Sequence, residues 1–354
     1  MNDSSFPLIQ YLNEHGEVVR ELPQFAHDKA TLTKLYKIMS HTRLFDKKAI
    51  ALQRTGKMGT YAPINGQEAI GTAIGYLMQA EDVFVPYYRD YACQFQRGVS
   101  MTNILSYWGG DERGSDFENN SHDLPICVPI ASQFLHAAGV AFALKYRKKP
   151  QVAVACIGDG GTSEGDFYEA LNVAGAWNLP VVFVVNNNQW AISVPLSQQT
   201  CCETIAQKSV AAGIEGHRID GNDIIACTQV IGQAIEKARS GGGPSLIEAV
   251  SYRLSDHTTA DDATRYQPAD DVSKAEKREP LHRVQMFLKQ YHQWQDADEN
   301  SIVDEGKQLV QEAVDAYLSM SPQPVTSIFD YHFAQMPDYL KEQREMAMEE
   351  VTHG

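Results

Sequence analysis

The chain has 354 residues, 43% of them hydrophobic, enough to bury a sizeable α/β core and too many for wholesale disorder. A formal net charge of −15 without a basic block, and no apolar run near the ~20 residues that span a bilayer, exclude nucleic acid and membrane as partners and leave proteins and small ligands. Six cysteines without C-x-x-C spacing argue against a zinc site or a redox motif, and an N-terminus lacking a signal-peptide pattern points with them to the cytoplasm.

Residues 1–27 carry no strong periodicity and are expected to form an extension that drapes over a neighbour or stays mobile. From Asp28, the positions Leu32, Leu35, Tyr36, Met39, Leu44 and Ala49 recur at helical spacing up to Gly56. TYAPINGQEAIGTAIGYLM reads as a turn followed by an Ala/Gly-rich helix suited to close packing. Residues 81–98 combine a short strand with a polar-aromatic turn. Here Arg89 offers a planar fork suited to a phosphate and Tyr88 a hydroxyl donor, although a single arginine would as readily serve a surface ion pair. Residues 111–127 are polar and rich in turn formers, hence a loop. In PIASQFLHAAGVAFALKYRKK the small residues Ala137, Ala138, Gly139 and Ala141 allow close backbone contact along a helix, on which His136 is expected to be buried and hydrogen-bonded. Val128 and Ile130, just ahead, default to core positions.

The stretch 151–193 carries the chemistry. An apolar run from Val152 to Ile157 ends in Gly158-Asp159-Gly160-Gly161, so a buried strand feeds a glycine loop. Ser163 with Asp166 three residues on resembles a capping box, and Phe167, Ala170, Leu171 and Ala174 continue as a helix. Val181 to Val185 then reads as a second buried strand, parallel to the first. Ligands of an open parallel sheet sit beyond the carboxyl ends of its strands, so Asp159 and Asn188 should converge on one crevice. A carboxylate and an amide oxygen suit magnesium, which fills its octahedron with phosphate oxygens and water, and a glycine loop lets backbone N–H groups approach those phosphates. A dinucleotide fingerprint fails at Ser163, where glycine or alanine is needed, and a Walker loop fails at Asp166, where lysine is needed.

Residues 201–212 look helical, a strand ends at Ile219-Asp220, residues 222–240 form a helix and PSLIEAVSYR a strand. The alternation predicts a doubly wound, mostly parallel sheet with helices on both faces over residues 28–272. The following loop, SDHTTADDATRYQPADD, is too polar for core. His257 can transfer protons near neutral pH and Arg253 can orient it or bind phosphate, but a lone loop histidine is more often merely solvated. Residues 273–354 read as a helical segment packed on the same domain or on a partner. It has helices at 280–290 and 301–318, the second presenting Val303, Leu309, Val310, Ala313 and Tyr317 on one face.

GDG at the first strand's end, SEGD behind it, then NN and AIS after the second strand together resemble the thiamin-diphosphate motif of the alpha subunits of 2-oxo acid dehydrogenases. The similarity runs over nearly the whole chain, and YAPINGQEA, AQKSVAAGI and HTTADDATRY lean toward the bacterial pyruvate dehydrogenases rather than the branched-chain enzymes. The resemblance implies that Asp159 and Asn188 ligate magnesium through side chains and Trp190 through its carbonyl, most relatives carrying Tyr or Phe there. It implies that Tyr88 and Arg89, with Gly158, Gly160, Gly161 and Arg253, hold the diphosphate, that Val128 and Ile130 touch the aminopyrimidine and thiazolium, and that His257 is catalytic. Thr258 stands where mitochondrial relatives have a regulatory serine, which does not make it a phosphorylation site. The implied reaction is oxidative decarboxylation of pyruvate, a small 2-oxo acid, with acetyl transfer to a lipoyl-lysine of a dihydrolipoyl acyltransferase core. The implied assembly is two alpha and two beta chains, the beta subunit supplying the glutamate that activates the aminopyrimidine. Alternatives are a branched-chain 2-oxo acid or acetoin-cleaving alpha subunit and, from another class, a catalytically silent scaffold subunit. Loops 111–127 and 255–271 are expected to be disordered or differently packed without cofactor and partner.

Overall fold

Alternate residues of the two central strands face two different hydrophobic clusters, which is why each reads as an unbroken apolar run. Ala153, Ala155, Ile157, Val181, Phe183 and Val185 pack with Phe134, Ala137, Phe167 and Leu171 on one side of the sheet. Val154, Cys156, Val182 and Val184 pack with Ile70, Ile74, Ile225 and Ile231 on the other. Each valine, isoleucine, leucine or phenylalanine among them taken fully out of water contributes about 1.5–3 kcal/mol, so both faces must be covered.

The computed structural model describes residues 6–117, 122–330 and 332–353, the side chains of 350–353 excepted. Its strands are β1 (Leu8–Ile9), β2 (Val83–Val85), β3 (Ala153–Gly158), β4 (Val181–Asn187), β5 (Trp190–Ala191), β6 (Val194–Pro195), β7 (Glu215–Asp220) and β8 (Ser245–Val250). Six form one sheet in the order β1-β7-β8-β4-β3-β2, all neighbours parallel. β5 and β6 form a separate antiparallel hairpin. The helices are α1 (Lys29–Arg54), α2 (Glu68–Leu77), α3 (Tyr91–Gln96), α4 (Met101–Trp108), α5 (Ser132–Tyr146), α6 (Gly165–Ala176), α7 (Leu196–Gln199), α8 (Lys208–Ala212), α9 (Ile224–Arg239), α10 (Ala269–Glu276), α11 (Pro280–Tyr291), α12 (Asp296–Ser319), α13 (Ser327–Asp330) and α14 (Asp338–His353). Carboxylates cap two of the core helices, α1 and α9: Asp28 accepts from the N–H groups of Ala30 and Thr31, and Asp223 from those of Ile225 and Ala226. The predicted fold class, a parallel sheet covered by helices on both faces with further helices after it, is the one observed.

Contacts divide the chain into two compact units, Met1–Val314 and Asp315–Gly354. In the first, α11 places Val284, Phe287 and Leu288 in the same cluster as Leu35 and Ile225. In the second, Arg344 pairs with Asp330 at 2.8 Å. Among the described residues no helix is long and apolar enough to cross a membrane.

Four local expectations change. Residues 8–12 do not drape over a neighbour: β1 extends the sheet beside β7, Leu12 is fully buried, and the N–H groups of Tyr11 and Leu12 donate to Asp223 Oδ2 at 2.7 and 2.8 Å. A two-residue strand has no period to read. Ser163 does not cap α6, because Asp159–Ser163 forms a 3-10 turn and the helix starts after Glu164 without a side-chain cap. Within 201–212 only Lys208–Ala212 is α-helical, following a 3-10 turn at Ile205–Gln207. On α12 the buried face is Ile302, Gly306, Val310 and Val314, while Leu309 is exposed. Gly306 lets His41 and Leu44 approach, since an added Cβ would meet both at 2.6 Å. In loop 111–127, Glu112–Ser115 is a 3-10 turn and positions 118–121 lie outside the described residues.

Candidate cofactor site

The register that pairs Gly158 with Asn186 brings the ends of β3 and β4 level. Asp159 opens the turn after β3 and Asn188 follows β4 by one residue, so both reach the same end of the sheet. A pocket there is lined by Tyr87, Tyr88, Arg89, Ile130, residues 157–161, Asn188, Trp190 and His257, among others.

Asp159 is buried and accepts from Gln199 Nε2 through Oδ2 at 2.7 Å, while Oδ1 has no partner. Burial pushes its pKa up to about 6, against the hydrogen bond from Gln199. Asn188, also buried, donates from Nδ2 to Gln67 Oε1 at 2.9 Å and accepts through Oδ1 from the Trp190 N–H at 3.2 Å. The Trp190 carbonyl accepts from Arg253 Nη1 at 3.3 Å. Gln189 and Ile192, with φ of 74° and 55°, turn the β5-β6 hairpin back over the glycine loop. That close approach explains Gly160, where a Cβ would meet Ala191 Cβ at 2.6 Å, whereas a Cβ at Gly161 would meet Ile157 Cδ1, at the end of β3, at 2.4 Å. Gly158, by contrast, has room before it. Behind the turn, Thr162 Oγ1 donates to the Asp159 carbonyl at 2.8 Å, and buried Lys208 donates from Nζ to the Thr162 carbonyl at 2.7 Å.

Arg89 and Arg253 are 2% and 0% exposed, and among the described residues neither forms an ion pair. Arg89 Nη2 donates to His257 Nδ1 at 3.0 Å and Nη1 to the Pro63 carbonyl. Arg253 donates to the carbonyls of Trp190, Ile192 and Ser255 and to the Tyr266 hydroxyl. Burial, then Arg89 nearby, holds the Arg253 pKa below its ordinary value. Two buried guanidiniums without a direct ion pair, one of them lining the pocket, leave positive charge there that suits an anion, although the Asp159 and Asp261 carboxylates lie close enough to act on Arg253. Tyr88 lies under Arg89, its ring centroid 5.2 Å from the guanidinium carbon, and Tyr87 accepts from Asn186 Nδ2 at 3.0 Å.

His257 is pushed down to about 3, by burial first and then by Arg89 and Arg253, so it is neutral at physiological pH. Because Nδ1 accepts from Arg89, its proton is assigned to Nε2. Imidazole nitrogen resonances of His257 should therefore not titrate between pH 5 and 8; an NMR midpoint above pH 6 would contradict this environment. Residues 255–271, expected to be loose, fold against Tyr61, whose carbonyl accepts from the Thr259 N–H at 2.8 Å and whose N–H donates to Thr259 Oγ1 at 3.0 Å.

Val128 and Ile130 are not core: they are 50% and 43% exposed, and only Ile130 lines the pocket. His136 is exposed rather than buried, on the outer side of α5. Gln67, Gln199 and Lys208 were not singled out in the sequence; only the GQEA run around Gln67 hinted at a site. No cluster of three His, Cys, Asp or Glu occurs among the described residues, which disfavours a soft metal. One carboxylate, one amide oxygen and one carbonyl beside an anion-seeking pocket fit magnesium with a diphosphate. The partnerless Asp159 Oδ1 and the two unpaired guanidiniums are the observations behind that fit.

A family model for the dehydrogenase E1 component matches residues 36–324. The protein of Staphylococcus aureus strain Mu50 described as pyruvate dehydrogenase E1 component subunit alpha is 39% identical over 357 residues, covering 99% of this chain and 96% of that one. Its counterpart of the same description from Staphylococcus epidermidis strain ATCC 35984 is 39% identical over 352 residues, covering 99% and 95%.

Proposed function

The chain belongs to the dehydrogenase E1 component family, and on that premise we propose that it is the alpha subunit of a pyruvate dehydrogenase that binds thiamin diphosphate through magnesium. The observation that carries the cofactor reading is the buried, partnerless Asp159 Oδ1 in a pocket shared with Arg89 and His257. When bound, thiamin diphosphate supplies the carbanion and electron sink that release of carbon dioxide from a 2-oxo acid requires. Asp159, Asn188 and the Trp190 carbonyl would hold the cation, with Tyr88, Arg89, Arg253 and the N–H groups of the glycine turn around the diphosphate. Ile130 and Ile157 give the pocket an apolar wall. Neutral His257 offers an Nε2–H donor for the reacting group.

Two features support a partner chain. The pocket encloses about 250 Å³, below the ~300–1,000 Å³ of complete small-molecule sites, and among the described residues the acids lining it are Asp159 and Glu164, so a group to activate the aminopyrimidine would come from elsewhere. The outer faces of α5 and α6 also expose Phe142, Tyr146 and Trp177, with Phe142 against both other rings. A beta subunit would cover this surface and complete the site, in a cytoplasmic assembly of two alpha and two beta chains on an acyltransferase core.

Calorimetric titration of thiamin diphosphate into the chain with its cognate beta chain should show binding only with magnesium, and turnover should favour pyruvate over 2-oxoisovalerate and acetoin. Absence of binding would overturn the cofactor reading, and preference for another substrate would move the chain to a sister enzyme. The chain alone should be inactive; full-rate decarboxylation by it would remove the need for a beta subunit.

A further inference from the structure

A carboxylate and a carboxamide each have two ends, and a cation site works only if the correct end is turned toward it. At Asp159 and Asn188 two glutamines outside the ligand set hold the far end of each group. Gln199, on α7, donates from Nε2 to Asp159 Oδ2 at 2.7 Å and to the Val194 carbonyl at 3.0 Å. One carboxylate oxygen is thereby occupied and Oδ1 is left without a partner. Gln67, immediately before α2 and 1% exposed, accepts through Oε1 from Asn188 Nδ2 at 2.9 Å and from Asn186 Nδ2 at 3.0 Å. The Trp190 N–H, which can only donate, meets Asn188 Oδ1 and so settles the direction of the whole relay. Asn186 is held in the same sense, its Oδ1 accepting from Ser251 Oγ at 2.6 Å. Gln67 Nε2 is left buried without a partner, a cost that leucine in its place would not carry. Packing alone therefore does not account for a glutamine here.

We propose that Gln67 and Gln199 are positioning residues for the cation, holding the amide nitrogen of Asn188 and one oxygen of Asp159 so that Asn188 Oδ1 and Asp159 Oδ1 face it. This rests on the magnesium and diphosphate reading above. Neither residue touches the ion; each acts through the far end of a ligand, the arrangement by which outer partners tune metal affinity.

The test is calorimetric titration of magnesium chloride into the chain–beta complex at saturating thiamin diphosphate, for wild type, Gln67→Leu, Gln67→Glu and Gln199→Leu, beside thermal melts of the metal-free complexes. Both leucine variants should lose about 10- to 100-fold in magnesium affinity while melting like wild type. Gln67→Glu, which keeps acceptor oxygens for both asparagines, should recover most of the loss, which a purely structural role would not give. Wild-type affinity in the leucine variants overturns the proposal. Should Gln67→Leu fail to fold, Gln199→Leu, on a half-buried turn, decides alone, and unchanged affinity there overturns it. A wild-type complex that binds neither magnesium nor thiamin diphosphate overturns the functional reading and the proposal with it.

Discussion

Asp159→Asn is expected to abolish magnesium-dependent binding of thiamin diphosphate and, in the same molecule, to stabilise the ligand-free protein. The side chain is buried, one of its oxygens is partnerless, and its pKa is pushed up to about 6. The unfolded chain ionises it near 3.9, so the folded state carries a penalty of about 3 kcal/mol once both states are ionised. Below about pH 4 both states are protonated and the penalty is absent. Between about pH 4 and 6 the unfolded chain loses this proton while the folded one keeps it, and stability falls with rising pH. Above about pH 6 the penalty is complete and constant. The advantage of Asn over Asp should therefore vanish about a unit below pH 4 and be largest above pH 6, read by urea unfolding without metal. Magnesium must expel the same proton, so its affinity for wild type should fall about tenfold for each pH unit below about 6. An Asp159→Asn complex that retains the wild-type magnesium response, or a ligand-free variant less stable than wild type at pH 7.5, would sink the argument.

Arg253→Leu is expected to weaken thiamin diphosphate binding at least about 100-fold and to cost about 3 kcal/mol of stability. One guanidinium ties three backbone carbonyls from two segments, those of Trp190 and Ile192 in the hairpin and Ser255 in the histidine loop, and also the Tyr266 hydroxyl. Removing it leaves those carbonyls unpaired and takes away one of the two buried positive charges. Part of the stability loss is offset, because Arg89 no longer faces a like charge; their mutual repulsion is among the causes that lower the Arg253 pKa. Lysine should not rescue binding, since a single ammonium cannot span three carbonyls on a planar fork. Limited proteolysis should show new cleavage within 189–200 and 254–267, and calorimetry should show the affinity loss. An Arg253→Lys complex with wild-type affinity would refute the bridging role.

Much of this organisation is legible one residue at a time. The apolar run before Gly158, the β-branched run before Asn187 and the helical spacing from Leu32 to Ala49 each carry their own period, because burial on a strand or a helix face imposes it locally. The meeting of Asp159 and Asn188 follows from parallel pairing alone, which levels the carboxyl ends of neighbouring strands. Where the reading failed, no period or punctuation was available. β1 has two residues, the α12 face is narrowed by one glycine, and the exposure of His136 depends on which side of α5 the sheet covers.

The sequence by itself determined the covered parallel sheet, the glycine turn with its two polar strand ends, and the membership that the motif spacing announced. Those properties reside in contiguous residues whose local preferences agree with the fold. Only the tertiary structure decided that Gln67 and Gln199 grip the far ends of Asn188 and Asp159, that Arg253 ties the hairpin to the histidine loop, and that both guanidiniums are buried without a direct ion pair. These contacts join residues tens to more than a hundred positions apart, as in the Asn188–Gln67 bond with its separation of 121. Hydrogen-bond direction and burial depend on what the folded chain brings alongside, and one-dimensional spacing carries no record of that.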